Sequence, residues 1–284
     1  MKLAEARVLL TGAAGGIGSA IAAELLAHGA AVLMVDMNDT ALRHLVSDQL
    51  PSFVDRVEVY TANLTKAEDR TRLAEFARTW RGGVNVLINN AGVSHFRLLH
   101  EQPAEEVDLA LAVNLQAPIH LCRLLLPHLG RQTDAHILNT GSVFGGFGYA
   151  AYSVYSATKF AIRGFSEALR RELADTTVKV HYLAPRATRT GINSAAVERM
   201  NEELKVAMDT PAIVAAAARR MLEQETAEAV VGWPEKFFVR LNALLPRLVD
   251  GALRKQLPVI RRYAGTPASL SPPATDLLST RVRT

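Results

Sequence analysis

Cysteine is nearly absent from this 284-residue chain, which contains only Cys122. One thiol cannot form an intrachain disulfide, so the disulfide frameworks of small secreted domains are excluded and we expect a reducing compartment. Cys122 lies in the apolar run HLCRLLL, which predicts a packed core thiol. No cluster of His, Cys or Asp has the spacing of a metal site, and we predict no metal.

Long apolar runs are also lacking. About 18 uninterrupted apolar residues, the length of a membrane-spanning helix, occur nowhere in the sequence. The first residues, MKLAEARVLLTG, contain no stretch long enough for a signal peptide before glycines intervene, so we expect a cytoplasmic protein. The net charge of +4, from 32 basic and 28 acidic residues, is too small and dispersed for a nucleic-acid-binding surface.

Short β-rich apolar runs alternate with longer helical patterns along most of the chain. The runs are ARVLLTG, AVLMVD, RVEVYTANL, VNVLINNAG, AHILNTGS, VKVHYLAP and AVVGW. This alternation predicts a parallel sheet with helices on both faces. The expected fold is a doubly wound α/β, Rossmann-type sheet of about seven strands, and the 49% of hydrophobic residues suffice for its core.

Composition divides the chain into three parts. The strand and helix alternation occupies residues 1–235, a basic amphipathic appendage occupies residues 236–263, and residues 264–284 are rich in Pro, Ser, Thr and Ala. The last part has too few apolar residues to bury much surface, which predicts a disordered tail.

The appendage has the pattern of an amphipathic helix that Pro246 and Gly251 would bend or split. On a helical wheel the apolar side consists of Phe237, Leu241, Leu244, Leu245, Leu248 and Ala252. The charged side consists of Arg240, Arg247, Asp250 and Arg254. Packing on its own or a partner subunit, contact with a membrane surface, and a lid over the substrate site all remain open.

A glycine-rich turn follows the first strand. It places Gly12, Gly16 and Gly18 between a strand and a helix, where the backbone can approach a pyrophosphate and the helix N-terminus offers free N–H groups. Asp36 ends the second strand about 20 residues later, where an acid can bind a ribose 2′-hydroxyl and repel a 2′-phosphate. Neither the loop nor the two residues after Asp36 offers a compensating cation. NAD is therefore predicted over NADP.

The spacing T-G-x-x-x-G-x-G of this turn resembles that of the short-chain dehydrogenase/reductase family. Further motifs follow in that family's order: NNAG at residues 89–92, Ser142 thirteen residues before Tyr155, and YSATK, which supplies Tyr155 and Lys159. Asn114 in AVNLQAP matches the fourth member of the family's tetrad. The resemblance covers roughly Ala6 to Trp233.

The resemblance implies an oxidoreductase that interconverts a secondary alcohol and a ketone by hydride transfer at nicotinamide C4. Tyr155 would be the acid/base, Ser142 would hydrogen-bond the substrate oxygen, and Lys159 would also bind the nicotinamide ribose. The i, i+4 spacing of Tyr155 and Lys159 places both on one helix face, so an ammonium can lie near the phenol. With an oxidised nicotinamide, this cation favours phenolate, and we expect a Tyr155 pKa below its usual value of about 10.

Cofactor contacts are expected along the whole glycine-rich turn and the ends of the later strands. They are Gly12, Gly15, Gly16, Ile17, Gly18, Asp36, Asn63, Leu64, Asn90, Ala91, Gly92, Tyr155, Lys159, Pro185, Thr188 and Thr190. Pro118 has no N–H to donate to the Asn114 carbonyl four residues earlier. A kink with a bound water would suit the family's proton relay, and a merely Pro-kinked helix is the alternative.

The loop after the sixth strand departs from the family pattern. The family ends this strand with P-G-x-x-x-T, a loop that clamps the nicotinamide carboxamide; Pro185 and Thr190 fit, but Arg186 replaces the glycine. We hypothesise that Arg186 or Arg189 faces the active-site entrance, where it could hold an anionic part of the substrate or cofactor. A solvated arginine whose stem packs on the loop is the alternative.

The substrate pocket is predicted at His95, Phe147, Tyr149, Tyr152 and Arg186, and His95 could equally be an exposed loop residue. The segment after Gly191 lies where the family places its variable lid, and its apolar positions are Ile192, Val197, Met200, Leu204 and Met208. We therefore expect a lipophilic alcohol or ketone as substrate. The resemblance also implies a homodimer or homotetramer.

Two other functions remain open. An NADPH-dependent reductase of 3-oxoacyl thioesters would use the same tetrad, but Asp36 disfavours it. A non-catalytic nucleotide-binding regulatory protein could keep the fold, but it would not need a positioned acid/base such as the one that Ser142, Tyr155 and Lys159 would form.

Overall fold

The seven apolar runs form one parallel sheet in a computed structural model that describes residues 1–265. The strands are β1 (Arg7–Thr11), β2 (Ala31–Asp36), β3 (Val57–Thr61), β4 (Val86–Asn89), β5 (Ala135–Thr140), β6 (Val178–Ala184) and β7 (Glu228–Val230). Their order across the sheet is β3-β2-β1-β4-β5-β6-β7. The predicted fold class is confirmed, and the change of direction between β1 and β4 opens a crevice at the carboxyl ends of these strands.

Helices cover both faces of the sheet. Within the described residues they are α1 (Gly16–Ala27), α2 (Asp39–Gln49), α3 (Ala67–Thr79), α4 (Ala104–Leu111), α5 (Ala117–Leu129), α6 (Ser153–Glu172), α7 (Ala195–Glu203), α8 (Pro211–Gln224), α9 (Glu235–Leu244), α10 (Pro246–Arg254) and α11 (Leu257–Ala264). Successive strand residues point to opposite faces. Leu10 accordingly packs with α1 and α8 in one core cluster, while Leu9 packs with α3, α5 and α6 in the other.

A π-helical turn at Ala112–Gln116 joins α4 to α5, six residues before the buried Cys122. By length and composition, the continuous helical run Ala104–Leu129 could cross a membrane. Its buried residues Leu121, Leu125 and Leu129 pack in the core cluster beneath α3, so a core position accounts for the apolar character of this run. Burial also raises the pKa of the Cys122 thiol to about 12, which keeps it protonated.

The appendage differs from the single amphipathic helix of the wheel. Helix α9 ends before Pro246, as predicted, but Gly251 lies inside α10 and the second break falls between Arg254 and Leu257. The predicted tail begins too early, because Ala264 is the last residue of α11; its residues 266–284 lie outside the described part of the chain.

The apolar side of the wheel is not the side of the appendage that is buried in the protein. The buried residues of the three helices include Val239, Val249 and Ile260. On the predicted apolar side, by contrast, Leu244 is 79% exposed and Leu248 is 61% exposed. The break before Pro246 resets the helical phase, so one continuous wheel cannot describe both helices.

Candidate active site

One cavity of about 910 Å³ occupies the crevice at the carboxyl ends of the central strands. At one end its wall consists of the glycine-rich turn and the residues that follow β2, β3 and β4. At the other end lie Ser142, Tyr155, the loop after β6, and residues from α7, α9 and α10. This cavity contacts every predicted cofactor residue.

The glycine-rich turn is held against the end of β4. Asn90 donates its side-chain amide to the carbonyls of Thr11 and Gly12, at 3.2 Å each, and the Thr11 hydroxyl accepts from the backbone N–H groups of Asn90 and Ala91. Gly12 has φ +66°, and a Cβ added there would lie 2.6 Å from Ala91 Cα. Only glycine therefore allows this close approach without strain.

The residues around this turn fit a dinucleotide. Gly15, Gly16 and Ile17 line the cavity where α1 begins, and the first turn of α1 has no acidic side chain. The unpaired N–H groups and positive dipole of such a helix end suit a pyrophosphate. The Asp36 carboxylate accepts from Ala14 N–H at 3.1 Å and from Asn38 N–H at 3.2 Å, so its position is fixed at this end of the cavity.

A tyrosine, a lysine and a serine meet at the other end of the same cavity. Tyr155 and Lys159 lie on α6, and the Lys159 ammonium is 5.5 Å from the centroid of the Tyr155 ring. The ammonium also donates to the Thr140 carbonyl at 3.0 Å, at the end of β5. The side chain of Ser142 lies close enough to the Tyr155 phenol to favour the charged form of the phenol.

Burial dominates the ionisation of both α6 residues. It raises the pKa of Tyr155 to about 12, against the opposing effect of the Ser142 side chain. It lowers the pKa of Lys159 to about 8. The expectation of a Tyr155 pKa below 10 concerned the site with an oxidised nicotinamide bound. In the protein alone the pKa is raised, because the loss of water around the phenolate outweighs the stabilisation from its neighbours.

Tyr182 fixes the backbone of Ser142, and no motif in the sequence indicates this role. Its buried hydroxyl donates to the Ser142 carbonyl at 3.2 Å and accepts from the Ser142 N–H at 3.4 Å. A Cβ at Gly141 would lie 2.2 Å from the Tyr182 ring, and one at Gly145 would lie 2.4 Å from its hydroxyl. The pair of glycines beside Ser142 was the one available signal for this packing.

Asn114 supports the site from behind rather than lining the cavity. Its side chain accepts from Val93 N–H at 2.8 Å and donates to the Val93 carbonyl and to the Thr158 hydroxyl, at 2.9 and 3.2 Å. The Thr158 hydroxyl in turn donates to the Tyr155 carbonyl at 2.7 Å. Asn114 thus connects the π-helical turn to the helix that carries Tyr155, and Pro118 follows that turn in α5.

The loop after β6 touches the glycine-rich turn, because a Cβ at Gly16 would lie 2.8 Å from Thr190 Cγ2. Pro185, Thr188 and Thr190 all line the cavity. Arg186 lines it as well, but its guanidinium is neutralised by two carboxylates, Asp209 at 2.6 Å and Glu235 at 3.2 Å.

These ion pairs argue against the interpretation that an arginine of this loop binds an anionic part of the substrate or cofactor. Arg186 also donates to the Trp233 carbonyl at 2.7 Å, and Arg189 is exposed and outside the cavity wall. The sequence could not show this, because the acidic partners lie 23 and 49 residues further along the chain.

Aromatic and aliphatic side chains form the walls of the substrate end. Phe144 stacks on Tyr149 with ring centroids 5.0 Å apart, and Phe147 and Tyr152 complete the aromatic wall. His95 does not line the cavity, and its buried Nδ1 has no hydrogen-bond partner among the described residues. The prediction that His95 touches substrate therefore finds no support.

The roof of this end comes from α7 and from the appendage. Val197 and Met200 of α7 line the cavity, as expected for the apolar lid, together with Phe238, Val249 and Leu253 of the appendage. The Tyr149 hydroxyl donates to Gln256 at 2.6 Å, and Asn242 donates to the Gly146 carbonyl at 3.0 Å. The appendage therefore packs on its own subunit and covers the substrate end of the cavity at the same time, so two of the three roles left open for it are combined.

A polar cluster that the sequence spacing did not reveal lies at the amino ends of β5 and β6, on the side of the sheet away from the cavity. Ligand atoms of Asp134, His136 and Glu225 lie within 4.8 Å of one another. The Lys179 ammonium already contacts two of them, at 2.7 Å from Glu225 and 3.5 Å from Asp134. Because a cationic side chain occupies this position, the prediction of no metal is kept.

A sequence model of the short chain dehydrogenase family matches residues 6–201, well over half of the chain. The chain belongs to the short-chain dehydrogenase family. It is 30% identical over 260 residues to the uncharacterized oxidoreductase YxnA of Bacillus subtilis (strain 168). The aligned region covers 89% of this chain and 73% of that protein.

Solved structures share the fold of this short-chain dehydrogenase. One from Burkholderia phymatum, in complex with NAD, has a TM-score of 0.80 at 24% identity and covers 88% of this chain and 96% of its own. Another from Burkholderia cenocepacia J2315, in complex with NADP, has a TM-score of 0.75 at 22% identity, covering 89% and 99%. The protein is an oxidoreductase by its family, and these two neighbours share its fold, one holding NAD and the other NADP.

Proposed function

We propose that this short-chain dehydrogenase uses NAD to interconvert a secondary alcohol and a ketone on a lipophilic, uncharged substrate. The observation that carries the proposal is that Ser142, Tyr155 and Lys159 line one end of the cavity beneath an apolar roof, with the Lys159 ammonium 5.5 Å from the centroid of the phenol ring. A tyrosine in this position can exchange a proton with a substrate oxygen, and a mere nucleotide-binding protein would not need it.

The chemistry divides between the cofactor and the chain. When bound, a nicotinamide would supply the hydride chemistry, as acceptor from the alcohol carbon or donor to the ketone carbon. In the oxidation direction the Tyr155 oxygen takes the hydroxyl proton as the carbon–oxygen double bond forms, while Ser142 donates a hydrogen bond to the same oxygen. In the reduction direction Tyr155 returns that proton.

The Tyr155 pKa sets the condition for the oxidation direction. A phenol with a pKa of about 12 keeps its proton at neutral pH, which suits donation to a carbonyl oxygen. Forming the phenolate requires positive charge nearby, and the Lys159 ammonium supplies one. Asn114 holds α6 in place through Thr158, which keeps Tyr155 within reach of Ser142.

The choice of NAD rests on Asp36. Among the described residues that line the cavity, only Lys159 and Arg186 are basic, and both are engaged at the substrate end. A 2′-phosphate would therefore meet the Asp36 carboxylate without a compensating cation. The uncharged substrate is proposed because the same two residues leave no free cation to hold an anionic group.

The proposal is tested by turnover with NAD and NADP on a series of secondary alcohols and ketones of rising lipophilicity. We expect a higher kcat/KM with NAD than with NADP. We also expect that the Tyr155→Phe variant binds NADH normally while its kcat falls about 100-fold or more. Tyr152→Phe is the matched control, because its ring lies 5.8 Å from that of Tyr155 and its activity should stay within a few-fold of the parent.

Equal turnover by the parent and Tyr155→Phe on the same substrate would contradict the assigned chemistry. A higher kcat/KM with NADP would contradict the choice of cofactor alone. The expected homodimer or homotetramer remains a prediction, which sedimentation of the purified protein would measure.

A further inference from the structure

Large apolar side chains are exposed in a group on the outside of the cavity roof. Within the described residues, five of the twelve exposed large hydrophobic side chains fall between positions 233 and 248. They define the outer roof face, and their exposed fractions are 69% for Trp233, 50% for Phe237, 79% for Leu244, 52% for Leu245 and 61% for Leu248. A cluster of this kind on a protein surface indicates a contact with another apolar surface.

The outer roof face is separate from the substrate cavity. Phe237 and Leu244 are seven residues apart in α9, so they lie on one side of the helix two turns apart. Val239, on the other side, is buried beneath the helix, against the loop that follows Ser142. None of the five residues of the outer roof face lines the cavity.

Exposed positive charge lies on the same helices as this apolar face. Residues 236–263 contain seven basic residues and one acidic residue. Lys236, Arg240 and Arg247 are exposed, and none of them forms an ion pair among the described residues. The segment beyond residue 265 carries Asp276 against Arg281 and Arg283, so it has no net negative charge to neutralise them.

This combination of groups fits an anionic lipid bilayer, and we infer that the outer roof face docks on one. Apolar side chains can enter the interface between headgroups and acyl chains, while the exposed cations of the same helices attract anionic headgroups. Trp233 suits the same depth because its indole has an apolar body and one polar N–H.

A second copy of this chain is a poorer occupant. A two-fold contact places the same surface on both subunits, so it would bring Arg240 and Arg247 of each copy together. An acidic protein would satisfy the cations, but it would leave side chains as exposed as Leu244 and Leu248 without an apolar partner. The bilayer satisfies both kinds of group at once.

Docking would bring the substrate cavity close to the bilayer. The inner sides of α9 and α10 line the cavity with Phe238, Val249 and Leu253, so about one helix diameter, some 10 Å, separates lipid from substrate space. Lipophilic substrates dissolve in the bilayer and would be most concentrated there. This consequence rests on the proposed function, whereas the docking itself does not.

The test uses the full chain and vesicles of phosphatidylcholine, with and without about one third phosphatidylglycerol. We expect co-sedimentation with the anionic vesicles only, and weaker binding as salt is raised. Trp233 supplies a second signal, because it is exposed whereas Trp80, the other tryptophan, is only 9% exposed. Its emission should shift to shorter wavelength on binding, and Trp233→Phe should remove that shift.

Two double variants separate the apolar and electrostatic parts. Leu244→Asp with Leu248→Asp, and Arg240→Glu with Arg247→Glu, should each raise the apparent Kd for anionic vesicles about tenfold or more. Val54→Asp is the matched control, because Val54 is 55% exposed but lies in the turn before β3, and its vesicle binding should equal that of the parent. Thermal unfolding and NADH binding, which should match the parent, show that each variant is folded.

Three outcomes would overturn the inference. One is no binding of the parent to anionic vesicles at low salt, and another is equal binding by the parent and the Leu244→Asp, Leu248→Asp variant. The third is a concentration-dependent dimer that this variant loses, which would assign the outer roof face to a second copy. Turnover of a water-soluble substrate does not depend on vesicle binding. Measuring it separately therefore distinguishes failure of docking from failure of the proposed function.

Discussion

The guanidinium of Arg186 lies 2.6 Å from the carboxylate of Asp209, and this ion pair joins the loop after β6 to the segment that precedes α8. A second pair with Glu235, at 3.2 Å, reaches the first residue of α9. One side chain thus holds the roof of the cavity against the loop after β6, which lines the same cavity. Gly232, with φ +96°, gives it room, because a Cβ there would lie 2.4 Å from Arg186 Cδ.

We predict that Arg186→Ala destabilises the protein and loosens the roof. The change leaves the buried Asp209 carboxylate without its partner, which we expect to lower the free energy of unfolding by about 2–3 kcal/mol, since the pair is not fully shielded from water. The substrate KM should rise while the Kd for NADH changes little. Urea unfolding and steady-state kinetics measure these effects.

Arg189→Ala is the control for that variant, because Arg189 is exposed and belongs to the same loop. It should leave both stability and substrate KM close to those of the parent. Equal effects of the two substitutions would show that the ion pairs of Arg186 do not hold the roof.

We predict that Tyr182→Phe lowers kcat without weakening cofactor binding. The substitution removes the hydroxyl that pairs with both backbone groups of Ser142, so the serine loses its fixed position and stability falls by about 1–2 kcal/mol. A role confined to packing would lower stability alone. Kinetics at saturating substrate, with Tyr263→Phe as a control on an exposed hydroxyl that donates to Glu203, distinguish the two.

We predict that the stability difference between the parent and a Lys159→Met variant depends on pH. The Lys159 pKa falls from 10.5 to about 8 on folding, so between these values the unfolded chain binds more protons than the folded one. The parent should therefore gain stability relative to the variant as pH rises from about 8 to 10.5, by a few kcal/mol.

The comparison isolates Lys159, because the buried tyrosines and Cys122 titrate in both proteins. Urea unfolding of parent and variant at matched pH values between 7 and 10.5 measures the difference. A difference that stays constant over this range would show that the Lys159 ammonium is not desolvated.

We predict that Asp36→Asn shifts the cofactor preference toward NADP. The amide oxygen can still accept from Ala14 N–H, so the loop keeps its position, but the charge that repels a 2′-phosphate is gone. The ratio of kcat/KM for NADP to that for NAD should rise about tenfold or more. Asp39→Asn, an acid that instead pairs with Arg43 at the start of α2, should leave the ratio unchanged.

Much of the fold was predictable because its signals are local. A strand covered on both faces must be apolar throughout, so the inner strands β1, β2, β4 and β5 can be recognised as short hydrophobic runs. The Y-x-x-x-K spacing of Tyr155 and Lys159 is fixed by the helical period, and the glycines at 12, 16 and 18 are fixed by the sterics of a strand-to-helix turn. These features can be recognised in the sequence because each depends on residue types at short, fixed spacings.

The parts that could not be predicted depend on contacts between distant segments. Tyr182 reaches Ser142 across 40 residues, and Arg186 finds its carboxylates 23 and 49 residues away. The burial that raises the Tyr155 pKa is a further example, since the neighbouring Lys159 charge can be recognised in the sequence but the extent of burial cannot.

The sequence alone determined the sheet, the dinucleotide turn, and the family to which the chain belongs, because each follows from residue types at fixed local spacings. Only the tertiary structure decided which side of the appendage is buried, that Arg186 binds carboxylates of its own chain, and that His95 is not part of the cavity wall. Those outcomes depend on where helices pack after chain breaks, and packing is a property of surfaces that meet only in the folded molecule.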